Sequence, residues 1–255
     1  MTLHKGNGKP QTEPSNFHAI SLLPVVSKVF EKILLSRLET KYPKINIHNL
    51  QHGFQTGKSC NMTSFLLQES RDYCYERGSD LPACFLDAKA AFDKVWISGL
   101  IYKLYHLGER GKPFRIINHS LRGASIQVLQ DGRLSEPFSI KQGTRQGSIC
   151  ALFYYIVYIN DLLKELSRSP HGLHIGDLSA TTQTDDIVIL SLSRKHLQVL
   201  LNICCIYANT WRYVYNTNKC AVMTMSRKKH VPPTHHPYFM VIPRCRNQLL
   251  TPISE

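Results

Sequence analysis

The chain has 255 residues, with 31 Lys and Arg against 18 Asp and Glu, a formal net charge of +13 at neutral pH, and 43% hydrophobic residues. That composition can build a core and excludes disorder over the whole chain. The longest apolar run covers ten residues, 150–159, short of the roughly 18–20 that cross a bilayer, and the N-terminus lacks the apolar stretch of a secretory signal.

The opening, residues 4–16, is rich in Gly, Pro and Lys and reads as a loop or short hairpin. After Pro24 the apolar residues Val25, Val26, Val29, Phe30, Ile33, Leu34 and Leu38 recur at helical spacing and predict a helix over 24–40. A second helix is expected from Ser59 as N-cap, with Phe65, Leu66, Leu67 and Tyr73 on its apolar side. Residues 83–87 form a short apolar strand ending on Asp87, and 92–107 return to helical periodicity. A further helix falls near 113–122. Residues 126–129 and 138–140, with Asp131-Gly132 between them, alternate as a hairpin does.

Residues 148–166 predict a buried helix that breaks at 170–172. Two β-prone runs then flank Asp185-Asp186, with residues 187–190 as a buried strand. A helix over 195–209 and a strand over 220–225 follow, and beyond Ser226 little periodicity remains. The fold class is α+β, an antiparallel sheet backed by helices.

The charge is unevenly spread. Residues 191–255 carry nine Lys and Arg and one acid, while the acids of the middle region gather around Asp87, Asp93, Asp177, Asp185 and Asp186. A basic surround favours a polyanion, most commonly nucleic acid. The eight cysteines include no CxxC pair and no regular spacing, which indicates neither a zinc site nor a disulfide framework. They read as buried thiols in a reducing, intracellular compartment, cytoplasm or nucleus, of a protein that is neither secreted nor membrane-bound. Carboxylates converging from adjacent strands can hold two Mg²⁺ ions for phosphoryl chemistry. By spacing alone, however, an Asp-Asp pair is commonly a solvated turn, and Asp87 suits a helix N-cap equally well.

The segment Phe85-Leu86-Asp87-Ala88-Lys89-Ala90-Ala91-Phe92-Asp93-Lys94-Val95 resembles motif A of the reverse transcriptases of LINE-type non-LTR retrotransposons. Five further blocks fall in that family's order. Residues 15–24 with 27–34 resemble its first fingers block, and Gln51-His52-Gly53-Phe54-Gln55-Thr56-Gly57-Lys58-Ser59 the second. Gln142-Gly143-Thr144-Arg145-Gln146-Gly147-Ser148 is similar to motif B, Thr184-Asp185-Asp186 to motif C, and Trp211 with Asn216 and Lys219 to motif D.

The resemblance implies a right-hand polymerase: a fingers-like segment over 1–82, a palm over 83–225 with a fingers insertion inside 110–145, and a basic irregular tail over 226–255 where the thumb is absent. It implies an RNA-directed DNA polymerase that adds dNMP from dNTP to a DNA primer on an RNA template, with two Mg²⁺ ions for which Mn²⁺ can substitute. Asp87 and Asp185 become principal metal ligands, with Asp186 the third acid and the Ala88 carbonyl an added oxygen. Phe92 takes the aromatic position that excludes a 2′-OH, Gln146 and Gly147 lie beside the nucleotide, Lys219 protonates the departing pyrophosphate, and Lys58 holds template or triphosphate. His18 and Ala19 replace an Arg and a Pro of the family pattern, Gln55 an Arg, Leu152 a Pro, and Gln183-Thr184 the residues before the paired acids. These departures, with the absent thumb, motivate a competing expectation, an inactive remnant that only binds nucleic acid; a weaker one is a metal-dependent nuclease, since the same carboxylates can activate water.

Overall fold

The computed structural model describes residues 2–226 other than 7, 9, 11, 14, 15, 42–46, 56, 131, 174–179, 184 and 185. In chain order the elements are β1 (Thr2–His4), β2 (Phe17–Ala19), α1 (Val25–Lys41), α2 (Cys60–Glu76), β3 (Leu81–Asp87), α3 (Ile97–His106) and α4 (Gly111–Arg122). Four short strands follow, β4 (Ser125–Ile126), β5 (Leu129–Gln130), β6 (Arg133–Leu134) and β7 (Phe138–Ser139). The chain continues through α5 (Ile149–Arg168), β8 (Ala180–Gln183), β9 (Asp186–Leu190), α6 (Arg194–Trp211) and β10 (Ala221–Met225). It divides into two compact units, each built from two stretches: Met1–Ile45 with Phe92–Tyr158, and Asn46–Ala91 with Ile159–Glu255.

The second unit is organised on a four-stranded antiparallel sheet of order β10-β3-β9-β8. Central β3 is apolar on both faces because both are covered. Leu81 and Ala83, with Leu190 of β9, pack into a cluster with Leu50, Cys74 of α2 and Leu173. Residues of the other parity, among them Cys84, meet α6, whose Leu197, Leu200, Leu201, Cys204, Tyr207 and Ala208 are buried at helical spacing. Each fully buried leucine contributes about 1.5–3 kcal/mol of transfer free energy.

The first unit holds α1, α3, α4 and the hairpin in which β4 pairs β7 and β5 pairs β6. Two expectations need correction here. The helix expected from Phe92 starts only at Ile97, because residues 89–94 are spent on turns in which Ala90 takes the left-handed φ of 51°. Only part of the apolar run of α1 is buried: Val25, Val26, Val29, Phe30 and Ile33 are exposed, while Leu34 and Leu38 are buried together with Glu31. A carboxylate occupies a core position because it caps another helix, as shown below. Among the described residues no helix is long and apolar enough to cross a membrane.

Candidate active site

In the second unit, Asp87 ends β3 and stands directly opposite Asp186, the first residue of β9. The alternation of hydrogen bonds fixes the type of pair. The Asp87 carbonyl accepts from the Asn216 amide at 2.8 Å, on the β10 side, whereas Pro82 accepts from Ser191 on the β9 side. Odd residues of β3 therefore bond toward β10, and Asp87 and Asp186 form a non-hydrogen-bonded pair. Such pairs bring Cα atoms to about 4.5 Å and place both side chains on one face. Like charges directly opposite are destabilising, so this placement works against the sheet unless a cation balances it.

One cation is in place. Residues 216–219 turn back, with the Lys219 and Cys220 amides bonded to the Asn216 carbonyl, and the Lys219 ammonium lies 3.3 Å from Asp87 Oδ1. Lys219 is 66% exposed and Asp87 18%, so the pair contributes at most about 1 kcal/mol. Ala88 bridges to Tyr215 with neighbouring bonds from the Lys89 amide to Val214 and the Asn216 amide to Asp87. By the same alternation the Ala88 carbonyl turns the other way, toward β9. Two carboxylates on one face of the sheet and a neighbouring backbone carbonyl are oxygen donors of the type hard divalent cations take. Asp185, expected as a principal ligand, and Thr184 lie outside the described residues.

Lys58, expected at template or triphosphate, donates to the carbonyls of Asn49 and, at 3.2 Å, Gln51. Its burial lowers its pKa, and it clamps a loop of its own unit. In the same loop His52 is bonded to Thr63 Oγ1 at 2.8 Å. Burial first and then the Lys58 charge hold that imidazole below its ordinary pKa. Gln55 stands where the family pattern has Arg, and its buried Nε2 finds no partner among the described residues.

In the first unit, Phe92 is half-buried against Tyr155, with ring centroids 4.9 Å apart. Its carbonyl accepts from the Thr144 amide at 2.8 Å, and the Val95 carbonyl accepts from the Gly143 amide at 2.8 Å. Segments 92–95 and 143–144 are thus tied together. Gln146 donates Nε2 to both oxygens of Asp93, at 3.1 and 3.2 Å, and its carbonyl accepts from the Ser21 amide at 2.8 Å. At Gly147, whose φ is +107°, a Cβ would fall 2.6 Å from the Ser21 carbonyl. The close approach this glycine permits includes one within the protein itself.

Glu31 is a residue that sequence reasoning missed. Only 8% exposed, it accepts from the Ser148 hydroxyl at 2.9 Å and the Ile149 amide at 2.7 Å, with the Arg145 guanidinium at 3.8 Å. It caps the N-terminus of α5 from another helix and fixes the loop carrying Gln146 and Gly147. The available signal was a single acid placed three and seven residues before Leu34 and Leu38, on a face that would otherwise be apolar.

Residues 4–238 match the family described as reverse transcriptase (RNA-dependent DNA polymerase). The chain belongs to the reverse transcriptase family. Among similar proteins, the RNA-directed DNA polymerase from mobile element jockey of Drosophila funebris is 30% identical over 234 residues, covering 86% of this chain and 24% of that protein. The probable RNA-directed DNA polymerase from transposon BS of Drosophila melanogaster is 28% identical over 236 residues, covering 86% of this chain and 24% of that protein. Both place this reverse transcriptase domain with the LINE-type non-LTR elements, and the chain spans about a quarter of the length of the relatives it matches. The telomerase of Candida tropicalis shares the fold, with a TM-score of 0.59 at 12% identity over 78% of this chain and 34% of that one. The expected α+β class and antiparallel palm-type sheet agree with this likeness.

Proposed function

We propose that this reverse transcriptase chain performs RNA-templated addition of dNMP to a DNA primer 3′-OH. The carrying observation is the cross-strand Asp87–Asp186 pair, two carboxylates set opposite each other at a strand end, oxygen donors of the type a divalent cation takes. Asp87, Asp186, the Ala88 carbonyl and, by its motif position, Asp185 would hold two Mg²⁺ ions. Bound there, the ions supply charge neutralisation at the attacking and departing oxygens of a nucleotidyl transfer. Lys219, 3.3 Å from Asp87 Oδ1, holds that carboxylate in place and, by its motif position, is the proton donor to the leaving pyrophosphate. By their motif positions Phe92, backed by Tyr155, is the ring that excludes a ribose 2′-OH, and Gln146 and Gly147 are the residues beside the nucleotide. In this reading the stretch 1–82 belongs to the fingers and 83–225 to the palm.

Extension of oligo(dT) on poly(rA) with Mg²⁺ or Mn²⁺ tests the proposal. Asp87→Ala or Asp186→Ala should each lower the rate by at least about a hundredfold, the loss of several kcal/mol of charge stabilisation. No extension by the wild-type chain, or equal extension by Asp87→Ala, would sink it. A second reading, nucleic-acid binding without catalysis, is favoured by Lys58 and Gln146 spending their donors on protein acceptors. The same assay, with RNA retained on a filter in the absence of extension, selects that reading.

A further inference from the structure

Helix α4 carries Lys112, Arg115, His119 and Arg122 and no acidic residue. At about 100° per residue these four fall within about 80° of arc and extend along about 15 Å of axis. Ile117 and Leu121 are buried on the opposite side, so the basic line faces outward and all four side chains are exposed. Among the described residues no carboxylate pairs with Lys112, Arg115 or Arg122. Next to this line α3 presents two exposed aromatic side chains, Tyr102 (56%) and Tyr105 (45%). Tyr105 meets Phe114 of α4 with ring centroids 5.7 Å apart, and the Arg110 guanidinium lies on its ring, 3.1 Å from the centroid.

We infer that the outer face of α4, with the tyrosines of α3, is a docking track for single-stranded nucleic acid, separate from the residues assigned to metal and nucleotide. A row of unpaired cations matches a phosphate backbone, and exposed rings beside it give bases a surface on which to stack. An acidic protein partner would satisfy the charges and leave the rings without a role. The track does not rest on the polymerase reading, because it uses none of the catalytic acids. A chain that binds but never extends a primer leaves it standing.

The test is fluorescence anisotropy of the full chain with labelled U20 RNA and T20 DNA between 50 and 200 mM NaCl. The variant K112Q/R115Q/R122Q is compared with a control of equal charge loss, R168Q/R194Q/K195Q, after melting curves establish that both fold. Three lost phosphate contacts make the log–log salt slope about 2 shallower, so across this range the wild type loses about 20-fold more affinity than the track variant. The control should keep the wild-type slope. Y102A/Y105A should weaken binding while leaving the slope unchanged, the signature of stacking. Weaker U20 than T20 binding, or the reverse, identifies which strand the track prefers and supports it either way. Equal losses in the two triple variants, no loss in either, or displacement of U20 by poly(Glu) at equal charge would overturn it.

Discussion

Glu31 offers the sharpest test of how the loop carrying Gln146 and Gly147 is held. Glu31→Ala removes an acceptor from the Ser148 hydroxyl and the Ile149 amide and strips Arg145 of its counter-charge. Charge-assisted hydrogen bonds contribute about 1.5–3 kcal/mol each and a helix cap about 1 kcal/mol. These contributions overlap, and truncating one partner of a buried ionic cluster costs about 3–5 kcal/mol in total. Glu31→Gln keeps an amide oxygen for Ser148 and Ile149 but loses the charge and the acceptor that faces Arg145, which predicts about 1–2 kcal/mol. The two tryptophans make the assay specific, since Trp96 lies in the first unit and Trp211 in the second. In a Trp211→Phe background, urea unfolding followed by Trp96 fluorescence should show the midpoint fall with the slope m unchanged. A loss under 1 kcal/mol for Glu31→Ala, or equal losses for the two variants, refutes the capping account.

Other outcomes follow from the same geometry. Gly147→Ala should destabilise the first unit by about 1–3 kcal/mol, from φ strain and the contact with the Ser21 carbonyl; an unchanged urea midpoint would refute the close approach. Phe92→Val should raise incorporation of rNTP relative to dNTP in primer extension, with unchanged selectivity counting against its steric role. His52 has its folded pKa below its unfolded value near 6.5, so the unfolded chain binds the extra proton. Its stabilising contribution is complete above that unfolded value and is lost as pH falls through the folded pKa; His52→Gln should flatten stability between pH 7 and 5. Among the described cysteines, native-state maleimide should label Cys60, which is exposed, and spare Cys150, whose thiol is pushed up to about 12 by burial. Labelling of Cys150 as fast as Cys60 would contradict the packing.

Most helices were legible because apolar spacing reports burial, and the motif order carried the family. The α1 pattern misled because its valines are apolar yet exposed, while the buried turn was claimed by Glu31, a polar contact 118 residues away. The late start of α3 was hidden by Ala90, since periodicity records no positive φ at an alanine. At the candidate site the sequence supplies the acids but not their register, and only strand pairing shows Asp186 opposite Asp87. The partners of Lys58 and Gln146 were likewise out of reach, because a donor at a motif position looks the same whether it awaits substrate or is bonded to a neighbouring loop.

The sheet order also sets a schedule for synthesis. Central β3 is flanked by β9 and β10, both encoded about a hundred or more residues later. At a translation rate of roughly 5–20 residues per second, its apolar faces leave the ribosome about 5–20 s before either neighbouring strand exists. During that interval α2 is the nascent chain's available cover for Leu81 and Ala83. Slow synthesis across residues 88–185 should therefore raise aggregation of the chain, and a ribosome-associated holdase should lower it.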